Sequence, residues 1–165
     1  MIRVAAALIV AAAAAVPTIL LLPSCTIGTS FSGAGYSSSR GVTLPDAPDT
    51  VVIGITYARL DPDKRRPFDH HTQLVHDDLA AHQGFIGSSI RMELLGDEVW
   101  TFTVWRDHTS LSAFVESEVH QTAIREGMPA VKQARFARLS WPRNEVPPTW
   151  RQIEEHLETV ELIEY

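Results

Sequence analysis

The chain predicts an α+β fold in which helices cover one face of an antiparallel sheet. Three observations carry this expectation. Four apolar, β-branched runs occupy 51–60, 85–96, 98–105 and 136–141. Helix-like apolar periods separate the first run from the second and the third from the fourth. The second and third runs are joined only by Gly96-Asp97, a hairpin turn signal.

Each element follows from its residues. VVIGITYARL (51–60) reads as a strand, and DPDKRRP then breaks the chain. From Phe68 to His82, the residues Phe68, Leu74, Val75 and Leu79 fit one helical face, with Gly84 as a C-cap. FIGSSIRMELLG alternates: Ile86, Ser88, Ile90, Met92 and Leu94 point one way, Ser89, Arg91 and Glu93 the other. EVWTFTVW (98–105) sets Thr101, Thr103 and Trp105 opposite Trp100, Phe102 and Val104. Thr109 or Ser110 can cap the next helix, which carries Leu111, Phe114 and Val115. Ser117 interrupts it, and a second helical piece runs through Ala123, Ile124 and Met128. FARLSW (136–141) is the last strand. Thr149 then caps a closing helix with Trp150, Ile153, Leu157 and Val160 on one face. The order βαββαβ is the ferredoxin-like arrangement, here with an added C-terminal helix. Both main helices cover one face of the sheet. The other face is expected to meet a second subunit in a two-fold homodimer.

Residues 51–165 form this domain. Upstream, 1–24 contain Arg3, an apolar run from Val4 to Leu22 and then Pro23-Ser24, directly before Cys25. Three readings fit this order. Leu-x-small-Cys is similar to the bacterial lipobox, in which Cys25 is lipidated and becomes the first residue of the mature chain. The run is roughly 19 residues, enough for an uncleaved membrane anchor. Ordinary secretion is the third reading. All three place the domain outside the cytoplasm, and the first two tie it to a membrane. Residues 25–50 are rich in Ser, Gly, Thr and Pro and read as a flexible tether. Cys25 is the only cysteine, so an internal disulfide is excluded. The net charge of −6 disfavours phosphate backbones, so no nucleic-acid partner is expected.

One resemblance is specific. Gly84-Phe85 opening a strand, Trp105 closing the next, a helix through Leu111 and Phe114, and then Ser117-x-x-His120 resemble the antibiotic-biosynthesis-monooxygenase-like family of dimeric α/β barrels. The tail LSWPRNEVPPTWRQIEEHLETVE is similar to a poorly characterised branch of it. The resemblance covers about 51–160 and implies the fold more strongly than the activity. The family includes cofactor-free oxygenases, haem-degrading enzymes, haem-dependent dehydratases and members without known activity. The Asn, Trp and His of its haem-degrading members fall near Ile55, Phe114 and Ile124, none of which has the required type.

The gap between helices and sheet is the expected ligand cavity for a small apolar or aromatic molecule. Ile55, Val75, Phe102, Val104, Phe114 and Val119 are its candidate lining. His120 is the candidate base, with Tyr57 and His71 positioning the substrate for a cofactor-free monooxygenation. His120 could instead ligate haem iron in a non-catalytic binding protein, or bond a backbone carbonyl and lock the helix break. A structural module of the cell envelope is a further alternative, expected if side chains fill the gap. Trp105 reads as a packing residue. No metal site is expected from His70, His71, His76 and His82. None of these histidines are three or four residues apart, and His71 and His82 lie about 16 Å apart along a helix. Asp78 and His82 are placed to pair.

Overall fold

The computed structural model describes residues 25–165; the signal or anchor assigned to 1–24 lies outside the described residues. In chain order the strands and helices are β1 Thr26–Gly28, β2 Tyr36–Ser37, β3 Gly41–Val42, β4 Thr50–Leu60, α1 Arg65–Asp78, β5 Phe85–Glu93, β6 Glu98–Trp105, α2 His108–Val115, α3 Glu118–Gly127, β7 Val131–Pro142, α4 Trp150–Glu158 and β8 Ile163–Glu164. The six-stranded sheet runs β1-β5-β6-β4-β7-β8, every neighbouring pair antiparallel. Its centre, β5-β6-β4-β7, is the ferredoxin-like order with the first and last strands of the unit side by side.

The expected helix break is present. Ser117 is extended at the start of α3 and accepts a hydrogen bond from the His120 amide at 3.3 Å. The cap of α2 is not Thr109 or Ser110 but Asp107, whose carboxylate accepts from the Ser110 amide at 2.7 Å. A carboxylate at a helix N-terminus meets both the free amides and the positive end of the dipole. Thr149 caps α4 through a reciprocal bond with Gln152. Gly84 has φ +84, and a Cβ there would lie 2.3 Å from the Ser110 hydroxyl. Both the backbone and the space therefore require glycine.

Cross-strand register divides the sheet into two faces. One face carries Ile53, Ile55 and Tyr57 of β4 opposite Val104, Phe102 and Trp100 of β6. The other carries Gly54, Thr56 and Ala58 opposite Thr103, Thr101 and Val99. Helices α1 to α3 lie over this second, small-residue face, where Val52, Leu79, Phe85, Trp105, Leu111 and Phe114 form one compact cluster.

The large-residue face was expected to be bare and to meet a second subunit; it is not bare. The chain covers the face itself. Ile153 and Leu157 of α4 are buried against Val51, Ile53, Ile55, Phe102 and Val104. Phe31, Tyr36, Val42 and Leu44 complete the cover, so residues 25–50 are not a free tether. Phe31 stacks on Phe102 with ring centres 5.6 Å apart and planes 9° apart. The backbone from Thr29 to Gly35 bonds β5 as a further edge segment, through the amides of Thr29, Ser32 and Gly35. Gly33 permits this approach, since a Cβ there would fall 2.3 Å from the Gly87 Cα. On the same face Arg91 of β5 lies between the rings of Trp100 and Trp150, 4.8 and 4.9 Å from their centres, and pairs with Glu154. A cation desolvated between two indoles and held by a carboxylate fastens α4 to the sheet.

Candidate functional site between the helices and the sheet

The small residues of the helix-side face leave space. A cavity of about 640 Å³ lies between that face and α1 to α3. Thr56, Ala58, Thr101 and Thr103 belong to its floor strands. Phe68 and Val75 of α1, Phe114 of α2 and Ala123 of α3 line the helical side. Phe136 and Ile124 also border it while remaining 46% and 40% exposed, which marks the open side. A gap of this size, largely apolar with a few polar groups, is the ordinary form of a small-molecule site.

His120 lines this cavity near the start of α3. Its Nδ1 lies 3.2 Å from the Val115 carbonyl oxygen, which accepts the Nδ1 proton. That bond selects the tautomer whose Nε2 carries a lone pair. The ring meets Phe114 edge to face, 4.7 Å between centres. Burial pushes the imidazole below its ordinary range; the carbonyl opposes this, and the nearby His82 adds to the lowering. The group is therefore a neutral base at pH 7, with one nitrogen anchored by the helix break.

His71, Val75 and Phe114 also line the cavity, as expected. Val119 is half-buried but is not among the lining residues. Four further assignments are corrected. Ile55 and Phe102 border the cavity floor, yet their side chains belong to the core on the opposite face. Val104 is buried in that same core and does not reach the cavity. Tyr57 packs against Trp100 on the far side of the sheet, 5.6 Å between ring centres. Its hydroxyl donates to Glu98 Oε1 at 2.9 Å. Burial and then this carboxylate push the phenol well above its ordinary range, so it stays protonated. Tyr57 cannot position a substrate for His120. The physical reason is the pairing register, which places all four residues on the face that α4 claims.

Trp105 is fully buried and stacks on Phe114 at 4.9 Å, while its Nε1 donates to Thr103 Oγ1 at 2.8 Å. It packs the wall between α2 and the sheet, in keeping with the sequence reading. Asp78 and His82 pair at 2.6 Å. Among the described residues no three His, Cys, Asp or Glu side chains gather at metal-binding distance. The floor residues Thr56, Thr101 and Thr103, and Arg138 at the edge, were not singled out from the sequence. Their signal was the run of small polar side chains on one face of β4 and β6, beneath amphipathic helices.

No family model and no curated protein sequence matches this chain. Solved structures do. A protein of Nitrosomonas europaea named as an antibiotic biosynthesis monooxygenase superposes with a TM-score of 0.50 at 15% identity, over 60% of this chain and 93% of its own. SnoaB, a cofactor-independent oxygenase of Streptomyces nogalater, gives 0.50 at 14% identity, over 61% and 100%. A Bacteroides thetaiotaomicron protein of unknown function gives 0.51 at 8% identity, over 57% and 100%. The chain has the fold of the antibiotic-biosynthesis-monooxygenase-like proteins. At these identities the likeness concerns the fold and not the chemistry. These three neighbours are matched almost end to end, while about two fifths of this chain is left over.

Proposed function

We propose that the domain is exported, held at a membrane through its N-terminal segment, and binds a small apolar or aromatic molecule between its helices and sheet. The observation that carries the binding reading is the apolar cavity of about 640 Å³ with His120 in its wall. A solid core between helices and sheet would have favoured a purely structural module.

The reaction that suits the site is cofactor-independent oxygenation of an activated aromatic such as a quinol. The tautomer of His120 leaves Nε2 to take a proton from an activated ring carbon in its keto form. The carbanion passes its electrons to dioxygen, and a C–O bond forms. The resulting peroxide takes the proton back from His120, its O–O bond breaks, and the remaining C–H proton is lost. One oxygen atom stays as a carbonyl and the other leaves as water. The apolar walls shield the carbanion on the helix and sheet sides, and the floor threonines can orient ring oxygens. Oxygen uptake with a panel of quinols tests this. His120→Gln should lower the rate by about 10²–10⁴-fold, the usual contribution of a positioned general base. Equal rates in wild type and variant would remove His120 from the chemistry.

The same anchored imidazole, with Nδ1 on a carbonyl, also suits a metal-bound histidine. The alternative is therefore a non-catalytic haem- or ligand-binding protein of the envelope. A Soret band that appears on adding haem and is lost in His120→Gln would favour it.

A further inference from the structure

The cavity lining shows a charge bias that an apolar gap does not need. The chain carries 20 acidic residues, and yet no aspartate or glutamate lines the cavity; its ionisable lining consists of His71, His76, His120, Tyr165 and Arg138. Arg138 is the one permanent cation among them. Register places it beside Gly54 on the helix-side face of the sheet. Its Nη1 donates to Ser112 Oγ of α2 at 3.0 Å, which leads the guanidinium across the edge of the cavity. Most arginines here face a carboxylate, as in Arg65–Asp69, Arg91–Glu154 and Arg143–Asp49. Among the described residues, no carboxylate lies within ion-pairing distance of Arg138. Its donors beyond the one to Ser112 are therefore free to take an anion from solvent.

From Arg138 the cavity floor extends across the sheet. Arg138, Gly54, Thr103 and Ser88 form one cross-strand row, and Phe136, Thr56, Thr101 and Ile90 the next. Three strand spacings span about 14 Å, enough for a two-ring or short-chain apolar body. A cationic edge at one end of a floor of small side chains without aspartate or glutamate suits an amphiphile with a single acidic group.

We infer that the ligand of this cavity is an amphiphilic anion, an aromatic or alkyl acid, whose carboxylate or equivalent group pairs with Arg138 at the open edge while its apolar body lies over Thr56 and Thr101. This rests on the reading of the cavity as a ligand site and adds the chemical class of the ligand. A guanidinium is suited to such a partner, since its fork of donors matches a planar oxyanion. A neutral or cationic molecule of the same shape would gain nothing from Arg138, whose exposed guanidinium would stay with solvent. No aspartate or glutamate side chain of the acidic surface reaches the lining to compete for Arg138.

Two fluorescent probes of closely similar aromatic body separate the cases: anilinonaphthalene sulfonate, an anion, and phenylnaphthylamine, its uncharged parent. Both are titrated into the full chain, Arg138→Gln and the cavity-filling Thr101→Phe. The expected result is that Arg138→Gln weakens the sulfonate about tenfold and shifts the neutral probe by less than twofold. Thr101→Phe should weaken both. The unchanged neutral probe also shows that Arg138→Gln remains folded. If both probes bind in the cavity and Arg138→Gln affects them equally or not at all, the anionic class is overturned while the ligand site stands. If neither probe binds, or if Thr101→Phe leaves both affinities intact, the ligand site itself fails and the inference fails with it.

Discussion

The two faces of the sheet are built from the same strands and do opposite things. On one face Ile53, Ile55, Phe102 and Val104 interlock with Ile153 and Leu157 of α4 and with Phe31, and the centre is filled; a gap of about 450 Å³ remains only at its margin, beside Tyr57, Trp100 and Arg135. On the other, Leu111 of α2 packs onto Gly54, but Thr56, Ala58 and Thr101 are too short to fill the space below α1 and α3, and a cavity remains. Interiors are packed to crystal density, so a gap of this size persists only where residue size leaves it. One face supplies stability and the other supplies room. The difference lies in side-chain volume rather than in topology, since both faces are covered by helices.

This contrast can be broken from either side. The largest effect is expected on the filled face. Phe102→Ala removes a ring held between Phe31 and Trp150, with centres 5.6 and 4.9 Å away. It should cost about 3–5 kcal/mol in denaturant unfolding, the range for a large aromatic deleted from a packed core. A cost below 1 kcal/mol would mean that this face is not a core. Next is the docking of the N-terminal segment. Gly33→Val should detach 26–35 from β5, because its Cβ alone would fall within 2.3 Å of the Ile86 carbonyl. Hydrogen exchange should then accelerate at the amides of Ser32, Gly35 and Ser88, which now bond across this junction.

On the cavity face the effects are smaller. Burial lowers the His120 pKa from the ordinary 6.5. A lowered folded-state value means that the unfolded chain binds more protons around pH 6.5. His120 therefore contributes stability that is complete above about pH 6.5 and is lost as the pH falls through that value toward the lower folded-state pKa. Unfolding curves from pH 7.5 downward should show this loss in wild type and a flatter profile in His120→Gln. Identical profiles would show that the imidazole is not desolvated. The smallest change is expected from Thr101→Val, which replaces a floor hydroxyl by a methyl group beside open space. Its stability should stay within about 1 kcal/mol of wild type, because the two side chains are close in size and the position borders open space.

The helical break, the capping box and the βαββαβ order were legible because each has a short local signature. Ser117 before Glu118, and Thr149 three residues before Gln152, are such signals. Two features were not legible, for physical reasons. Val51, Val52 and Ile53 make both faces of β4 apolar at its start, so alternation alone does not say which face receives which helices. The decision lies in the volumes further along, where Gly54, Thr56 and Ala58 alternate with Ile55 and Tyr57. The docked N-terminal segment was hidden by composition. Serines and glycines dominate it, and Phe31, Tyr36, Val42 and Leu44 have no common period because they reach the core from a bridge and a small hairpin. His120 was visible as a candidate through its place after Ser117. Arg138 was not, since an arginine on a strand shows nothing of its neighbours until the strands are paired.

The central claim is that the small-residue face holds the ligand and the large-residue face does not. Phenylnaphthylamine affinity in Thr101→Phe and Tyr57→Phe tests it directly, since the two residues lie on opposite faces of the same pair of strands. Affinity should fall more than about tenfold in Thr101→Phe and stay within twofold in Tyr57→Phe. An unchanged affinity in Thr101→Phe, or a loss confined to Tyr57→Phe, would contradict it.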